Sequence, residues 1–242
     1  MLNLDKIKEL SKKYQTDARN IIREYVQHEF LNFFYQTPES GSILFKGGTA
    51  LRIIYQSPRF SEDLDFTGIN IFSYRLIESP FIDAARQLEK EGMRIELKEA
   101  KQTTGGYLGI ILYQIFGISE QMKFEISLRK GKTIKQETDT IISEYAPAYT
   151  ITHVGGQEIV NGKIAALLDR SKPRDFYDLY FILRHPRLHQ YIRKDDYKKI
   201  DSLFDKVRIN FKSDLSPLLP ASHQMILKDF KNFLRKEIKS HL

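Results

Sequence analysis

The chain has 242 residues, of which 41% are hydrophobic and 12% aromatic, so it can bury a sizeable core and is unlike a disordered protein. It has no cysteine, which excludes disulfides, thiolate nucleophiles and cysteine zinc sites. Its net charge of +7 permits contact with nucleic acid or nucleotide phosphates, and the lack of a signal peptide or a long apolar run predicts a cytoplasmic protein that does not enter a membrane.

The first 150 residues alternate between helical and strand patterns. Apolar residues at helical spacing predict helices at 4–13, 16–34 and 74–91. Alternating or short apolar runs predict strands, which lie at 42–46, 63–67, 93–99, 106–116 and 122–128. A short helix is predicted at 49–57, and residues 132–155 are predicted to be irregular apart from a candidate strand at 149–151.

From residue 156 onward the pattern is helical and is punctuated by prolines. The predicted helices lie at 157–170, 174–184, 195–208 and 222–240. We therefore predict an α+β protein in which a mixed-sheet domain at 1–150 precedes a helical bundle at 151–242.

Two aspartates lie two residues apart on the predicted strand at 63–67. Side chains at that spacing share one face, so Asp63 and Asp65 point together while Leu64 and Phe66 point to the core. Like charges this close disfavour each other unless a cation joins them, and Mg²⁺ is the natural candidate. A polar, solvated strand end is the alternative explanation for the pair alone.

Gly47, Gly48 and Thr49 lie between the first predicted strand and the helix that follows it. Glycines there let the backbone approach a ligand closely, and the first free N–H groups of a helix favour a phosphate. A tight turn with Thr49 as the helix N-cap explains the same residues, and the spacing is not that of a P-loop. Together with the acidic pair, the turn predicts a phosphate cradle beside a metal site.

Two segments carry a family resemblance: 46–51 (KGGTAL) and 59–66 (RFSEDLDF). They resemble the signature of the AbiEii toxin family, which belongs to the DNA polymerase β-like nucleotidyltransferases. The resemblance implies a polymerase β-like core that moves NMP from an NTP to an acceptor hydroxyl and releases pyrophosphate. It also implies two Mg²⁺ ions held by Asp63 and Asp65. It assigns nucleotide binding to Lys46, Gly47, Gly48, Thr49 and Ser61, the last if the strand begins early enough.

A third carboxylate is usual in polymerase β-like enzymes, on a later strand. Glu125 lies on the predicted strand 122–128 and points away from Phe124 and Ile126, so it is the candidate third metal ligand. An ordinary outward-facing residue is the alternative explanation.

A second pair of segments, 158–167 (EIVNGKIAAL) and 173–180 (PRDFYDLY), is similar to the C-terminal motifs of the family. The likeness implies that Lys163 is catalytic and contacts the nucleotide phosphates. It implies that Asp175 is a second catalytic residue, orienting Lys163 or the acceptor. The alternative for Asp175 is a favourable charge at a helix N-terminus, with Asp178 pairing Arg174 or Arg170.

Relatives in this family act as toxins of toxin–antitoxin pairs, and some modify the acceptor end of tRNA. The resemblance therefore implies a tRNA acceptor and a winged-helix antitoxin encoded nearby that neutralises the toxin indirectly. Three alternatives remain: transfer to a protein or small molecule, a metal-dependent phosphodiesterase, and a non-catalytic RNA- or nucleotide-binding protein. Basic residues predicted on one face of the last helix permit RNA contact, although a solvated surface explains them more simply; they are Lys228, Lys231, Arg235, Lys236 and Lys239.

Overall fold

The computed structural model describes residues 2–129, 133–206 and 209–241. The chain forms two compact units. The sheet unit comprises Met1–Gln56 and Phe60–Val154, and the helical unit comprises Ser57–Arg59 and Gly155–Leu242. Each unit is thus built from two stretches of chain, whereas the domains at 1–150 and 151–242, which stay a prediction, are continuous.

The described part of the sheet unit contains one mixed seven-stranded sheet in the order β3-β4-β5-β2-β1-β7-β6. Its strands are β1 (Ile43–Lys46), β2 (Leu64–Ile69), β3 (Arg94–Thr103), β4 (Gly106–Ile115), β5 (Ile118–Arg129), β6 (Gln136–Ile141) and β7 (Tyr149–Val154). The pairs β1–β7 and β2–β5 are parallel, and the other four neighbouring pairs are antiparallel. The central strand β2 therefore lies between β1 and β5.

Four helices belong to the sheet unit in the described residues: α1 (Leu4–Tyr14), α2 (Ala18–Phe34), α3 (Gly47–Ile53) and α4 (Arg75–Lys90). Asn3 and Asp17 begin the first two, because each side chain accepts a hydrogen bond from a backbone N–H three residues on. Pro80 lies inside α4 without ending it.

An aromatic core joins α2 and α4 to one face of the sheet. Phe124 on β5 lies 4.7 Å from Phe66 on β2, 4.9 Å from Phe81 on α4 and 5.4 Å from Phe34 on α2, measured between ring centroids. All four rings are fully buried. Because side chains alternate along a strand, the neighbours of Phe66 and Phe124 point to the opposite face.

The strand β6 departs from the sequence prediction. An irregular segment is predicted there, but residues 136–141 pair antiparallel with β7 along its whole length. The run Gln136-Glu137-Thr138-Asp139-Thr140 is polar and largely exposed, so it carries no apolar alternation that would reveal a strand at the edge of a sheet. Position 132 of the segment lies outside the described residues.

The helical unit has six helices in its described residues: α5 (Gly156–Arg170), α6 (Pro173–Arg184), α7 (Lys194–Lys206), α8 (Phe211–Leu215), α9 (Ala221–Gln224) and α10 (Phe230–Ser240). The single helix predicted at 222–240 is wrong, because Asp229 adopts a non-helical φ of −137° and the chain forms a 3₁₀ turn at Met225–Lys228. Lys228 therefore lies outside α10, and the five basic residues do not share one helix face. Residues 207 and 208 of the helix predicted at 195–208 lie outside the described part.

Within the described residues, no helix combines the length and the low polarity that crossing a bilayer requires.

Candidate active site

The turn after β1 places a glycine against a carboxylate. Gly47 begins α3 with a φ of +88°, and Lys46 is the N-cap residue. A Cβ atom at position 47 would lie 2.2 Å from Oδ2 of Asp65, far inside contact distance. Only glycine therefore leaves room for this carboxylate beside the start of α3.

Thr49 holds the acidic segment and is not the helix N-cap. Its side chain is fully buried, and its hydroxyl donates to the carbonyl oxygen of Asp63 at 2.5 Å. The alternative explanation, in which Thr49 is the helix N-cap, is wrong, because Lys46 takes that position. The hydroxyl is engaged with Asp63, so a nucleotide contact at Thr49 would involve the main chain.

Asp63 lies immediately before β2 and Asp65 lies within it, both half-buried, while Leu64 is fully buried between them. The expected strand start is therefore one residue early, and Ser61 does not share the strand face. Instead, Nε2 of Gln27 on α2 donates to the carbonyl oxygens of Ser61 and Glu62, at 3.0 and 3.1 Å. Side chains of α2 and α3 thus hold three consecutive carbonyls that lead into the acidic strand.

Three predicted site residues lie on neighbouring strands. Lys46 of β1 and Glu125 of β5 are the cross-strand neighbours of Asp65 on its two sides. Glu125 is half exposed and forms an ion pair with Lys123 two residues earlier on β5. Ser127 lies on β5, two residues after Glu125, and its hydroxyl accepts a hydrogen bond from Nζ of Lys46 at 2.6 Å.

Lys123 is a cation among the predicted metal ligands. Its hydrogen bond to Glu125 raises the pKa of Lys123 despite partial burial, and the charges of Glu125, Asp63 and Asp65 act in the same direction. Lys123, Ser127 and Gln27 are not among the site residues predicted from the sequence. The spacing of Lys123, Glu125 and Ser127 along β5 could have indicated the first two, but only packing indicates Gln27.

The donor chemistry of this face fits Mg²⁺. Mg²⁺ needs only one or two protein carboxylates when substrate phosphates complete its shell. Asp63 and Asp65 supply hard oxygen donors, and the missing side chain of Gly47 leaves room for the Asp65 carboxylate beside the start of α3. Across the described ranges, no three acidic, histidine or cysteine side chains are already gathered as a metal cage. The arrangement fits a two-carboxylate site, and Glu125 as a third ligand stays a prediction.

The helical unit contains a second cluster, centred on Asp178. Lys163 of α5 donates from Nζ to Asp178 at 2.7 Å, and Arg59 donates to both carboxylate oxygens at 2.8 and 3.0 Å. Asp178 is 1% exposed. Burial alone would raise the pKa of this carboxyl, but Arg59 and Lys163 outweigh it and hold the pKa below its ordinary value. Asp178 is therefore an ionised, buried anchor for two cations.

Asp175 does not bind Lys163. It is 1% exposed, accepts from the backbone N–H of Lys172 at 3.1 Å and forms a two-pronged pair with Arg170 at 2.8 and 3.0 Å. The expectation that Asp175 orients Lys163 is corrected, because Asp178 makes that hydrogen bond one helical turn later. Its geometry is that of a charge at a helix N-terminus, and a catalytic role for Asp175 stays a prediction.

Solved structures share this fold, among them two that cover most of this chain. The first is JHP933 from Helicobacter pylori, with a TM-score of 0.62 and 22% identity over 93% of this chain and 92% of that one. The second is MenT4, a nucleotidyltransferase toxin from Mycobacterium tuberculosis, with a TM-score of 0.66 and 16% identity over 98% of this chain and 89% of that one.

Sequence comparison gives the family. An uncharacterized protein of Aquifex aeolicus strain VF5 is 24% identical over 96% of this chain and 98% of its own length. Residues 30–240 match the sequence model described as nucleotidyl transferase AbiEii toxin, Type IV TA system. The chain therefore belongs to the AbiEii family of nucleotidyltransferase toxins, which confirms the enzyme class and the α+β fold predicted from its sequence.

Proposed function

We propose that the enzyme transfers NMP from an NTP to a hydroxyl at the acceptor end of tRNA. A bond forms between the acceptor oxygen and the α-phosphorus, the bond from that phosphorus to the β-phosphate bridge breaks, and pyrophosphate leaves. The hydroxyl proton passes to solvent. The observation that carries the proposal is the Asp65 carboxylate packed against Gly47, because it brings an acidic face and a backbone that a phosphate can approach to one place.

In this proposal Asp63 and Asp65 would hold two Mg²⁺ ions, with Glu125 as the third carboxylate. Bound Mg²⁺ would neutralise charge on the triphosphate and favour ionisation of the attacking hydroxyl. The backbones of Gly47 and Gly48 would bind phosphate oxygens, supported by Lys46, Ser61 and the main chain of Thr49. The Gln27 and Thr49 hydrogen bonds fix the segment that carries both aspartates, which is the positioning that phosphoryl transfer requires.

Lys163 would bind the nucleotide phosphates. Asp178 is its positioning residue, because a buried carboxylate held by Arg59 fixes the direction of the ammonium group. Asp175, with Arg170, would keep the start of α6 in place as the second essential position.

The family description supports a cognate antitoxin. We propose a winged-helix protein encoded nearby that neutralises the toxin indirectly, in the cytoplasm, where NTPs and tRNA are present. The net charge of +7 supports an RNA acceptor.

The acceptor is tested with NTPs labelled at the α-phosphate, Mg²⁺ and total tRNA. Label is expected on intact tRNA and not on tRNA whose terminal ribose has been oxidised by periodate. Label on protein, or equal label on oxidised tRNA, would overturn the acceptor-end proposal.

A further inference from the structure

We propose that Lys123 is a positioning residue that serves as an internal counter-cation for the acidic face, so that divalent metal binds weakly until the nucleotide arrives. The inference rests on the proposed metal site of Asp63 and Asp65 and adds a residue that the family motifs do not include.

Strand geometry places the ammonium among the carboxylates. Lys123 and Glu125 share one face of β5, because Met122, Phe124 and Ile126 alternate with them and are buried. In the parallel register of β2 and β5, Asp65 lies beside Glu125 and Leu64 lies beside Phe124. Lys123 lies one residue before Phe124 on β5, and Asp63 lies one residue before Leu64, directly ahead of β2. The charges of Asp63 and Asp65, together with that of Glu125, act on the ammonium group of Lys123.

The pair can rearrange. The side chain of Lys123 is 35% exposed and that of Glu125 is 51% exposed, so neither is locked in the core. A lysine carries its charge on a flexible stem and can turn away from an arriving dication. Until it turns, Lys123 repels the metal ion and occupies one carboxylate oxygen of Glu125, and both effects weaken metal binding.

A triphosphate changes this balance. The negative charge of the triphosphate compensates the positive charges of the metal ion and of Lys123. Each of the two ligands, metal and nucleotide, is therefore expected to bind more tightly when the other is present. Lys123 would in this way keep the acidic face neutralised between turnovers and make metal loading depend on substrate.

The test is a titration with Mn²⁺ alone, followed by the electron paramagnetic resonance signal of the free ion. Lys123→Gln is expected to bind Mn²⁺ about threefold to tenfold more tightly than wild type, because the repelling charge is gone. Lys123→Arg keeps the charge and is expected to match wild type. Lys98→Gln is the matched control, since Lys98 forms a similar half-exposed ion pair with Glu96 on β3. It is expected to leave the affinity unchanged.

A second titration adds an NTP analogue with a non-cleavable link between the α- and β-phosphates. The analogue is expected to tighten Mn²⁺ binding by a larger factor in wild type than in Lys123→Gln. Equal factors, or unchanged or weaker Mn²⁺ binding by Lys123→Gln alone, overturn the inference.

Asp65→Asn separates this failure from that of the proposed function. If Asp65→Asn loses Mn²⁺ binding while Lys123→Gln gains nothing, the metal site stands and the role of Lys123 falls. If Asp65→Asn binds Mn²⁺ as wild type does, the metal site falls and the inference with it.

Discussion

At the scale of single residues, one glycine and one aspartate determine the local geometry of the two clusters. Gly47 does so because it has no side chain, and Asp178 because it binds two cations. Gly47 has no side chain, and Asp65 uses the space. Asp178 is buried, and two cations compensate the burial of its charge. Both residues lie in the sequence motifs, but the motifs assign a nucleotide-binding role to Gly47 alone.

Gly47→Ala is expected to reduce both activity and stability. Its positive φ alone costs an alanine about 1–2 kcal/mol, and the new methyl group would also displace the Asp65 carboxylate. We expect a loss of at least about 2 kcal/mol in the free energy of unfolding by urea, with activity lowered more than tenfold.

Gly92→Ala is the matched control, because Gly92 has a φ of +85° but open space where the Cβ atom of an alanine would lie. Gly92→Ala should lower the free energy of unfolding through backbone strain and leave the activity unchanged. Equal stability and activity effects in the two variants would mean that the Asp65 contact has no consequence.

Asp178→Asn is expected to destabilise the protein by about 3–5 kcal/mol, because Arg59, which is 3% exposed, then lies beside a neutral amide instead of the Asp178 carboxylate. Urea unfolding followed by circular dichroism measures this. Asp196→Asn is the comparison: Asp196 is also buried, but its partner Arg193 is 69% exposed and can return to water. A similar small decrease in the free energy of unfolding in both variants would contradict the role of Asp178 as an anchor for Arg59 and Lys163.

The partner of Lys163 does not follow from the sequence motif. Asp175 and Asp178 lie three residues apart on α6, and both are 1% exposed. The motif contains both, so spacing alone could not decide which one meets Lys163. The packing of α5, α6 and the segment Ser57–Arg59 decides it.

At the scale of elements, α2 connects the acidic strand to a buried polar network. Gln27 faces the segment before β2, while Glu24 pairs with Arg52 of α3 at 2.6 Å and accepts a hydrogen bond from Tyr145 at 2.8 Å. His28 lies in the same network, 2.9 Å from the hydroxyl of Tyr149 and stacked on Tyr145. One helix thus supports both the acidic segment and the helix that follows Gly47.

His28 predicts a pH dependence of stability. Burial lowers the pKa of His28 to about 4 from an ordinary 6.5, with Glu24 and Arg52 acting in opposite directions. On acidification the unfolded chain therefore takes up the proton first, and the folded state loses up to about 3 kcal/mol between pH 6.5 and 4.

His28→Gln removes this titration and keeps an acceptor for Tyr149. Urea unfolding at pH 7 and pH 4.5 should show a larger decrease in wild type than in the variant. Parallel decreases would show that the folded protein binds a proton at His28 as readily as the unfolded chain does.

Most elements of the sheet unit follow from apolar periodicity, and the exceptions have physical causes. The edge strand β6 is held by backbone pairing with β7 and buries few side chains, so its sequence is polar. The buried residues Phe230, Leu234 and Ile238 keep helical spacing and form α10 as predicted. The interruption of the predicted helix lies before them, at the non-helical residue Asp229.

At the scale of the whole molecule, the chain order and the compact units differ in one short segment. Ser57–Arg59 lies between α3 and β2 in sequence but belongs to the helical unit, where Arg59 binds Asp178. The change from strand and helix patterns to purely helical patterns near residue 150 is visible in the sequence. The assignment of Ser57–Arg59 to the helical unit is not, because a segment of three residues is too short to show a periodicity.

A fragment of residues 155–242 tests the independence of the helical unit. It lacks Arg59, so the buried Asp178 keeps only Lys163, and we expect a broader thermal transition at a lower temperature than in the whole chain. Differential scanning calorimetry of both would show it. A fragment that melts as sharply and at the same temperature would mean that Arg59 contributes nothing to this unit.

The central claim is that the face of Asp63 and Asp65 beside Gly47 is where nucleotidyl transfer takes place. The most direct measurement is pyrophosphate release from NTP with Mg²⁺ and tRNA, for wild type, Asp65→Asn and Glu62→Gln. Asp65→Asn keeps the shape of the side chain and removes its charge, and we predict a rate lowered by at least about a hundredfold. Glu62→Gln changes an exposed acid three residues away and should leave the rate as it is. Pyrophosphate release by Asp65→Asn at the wild-type rate would contradict the claim.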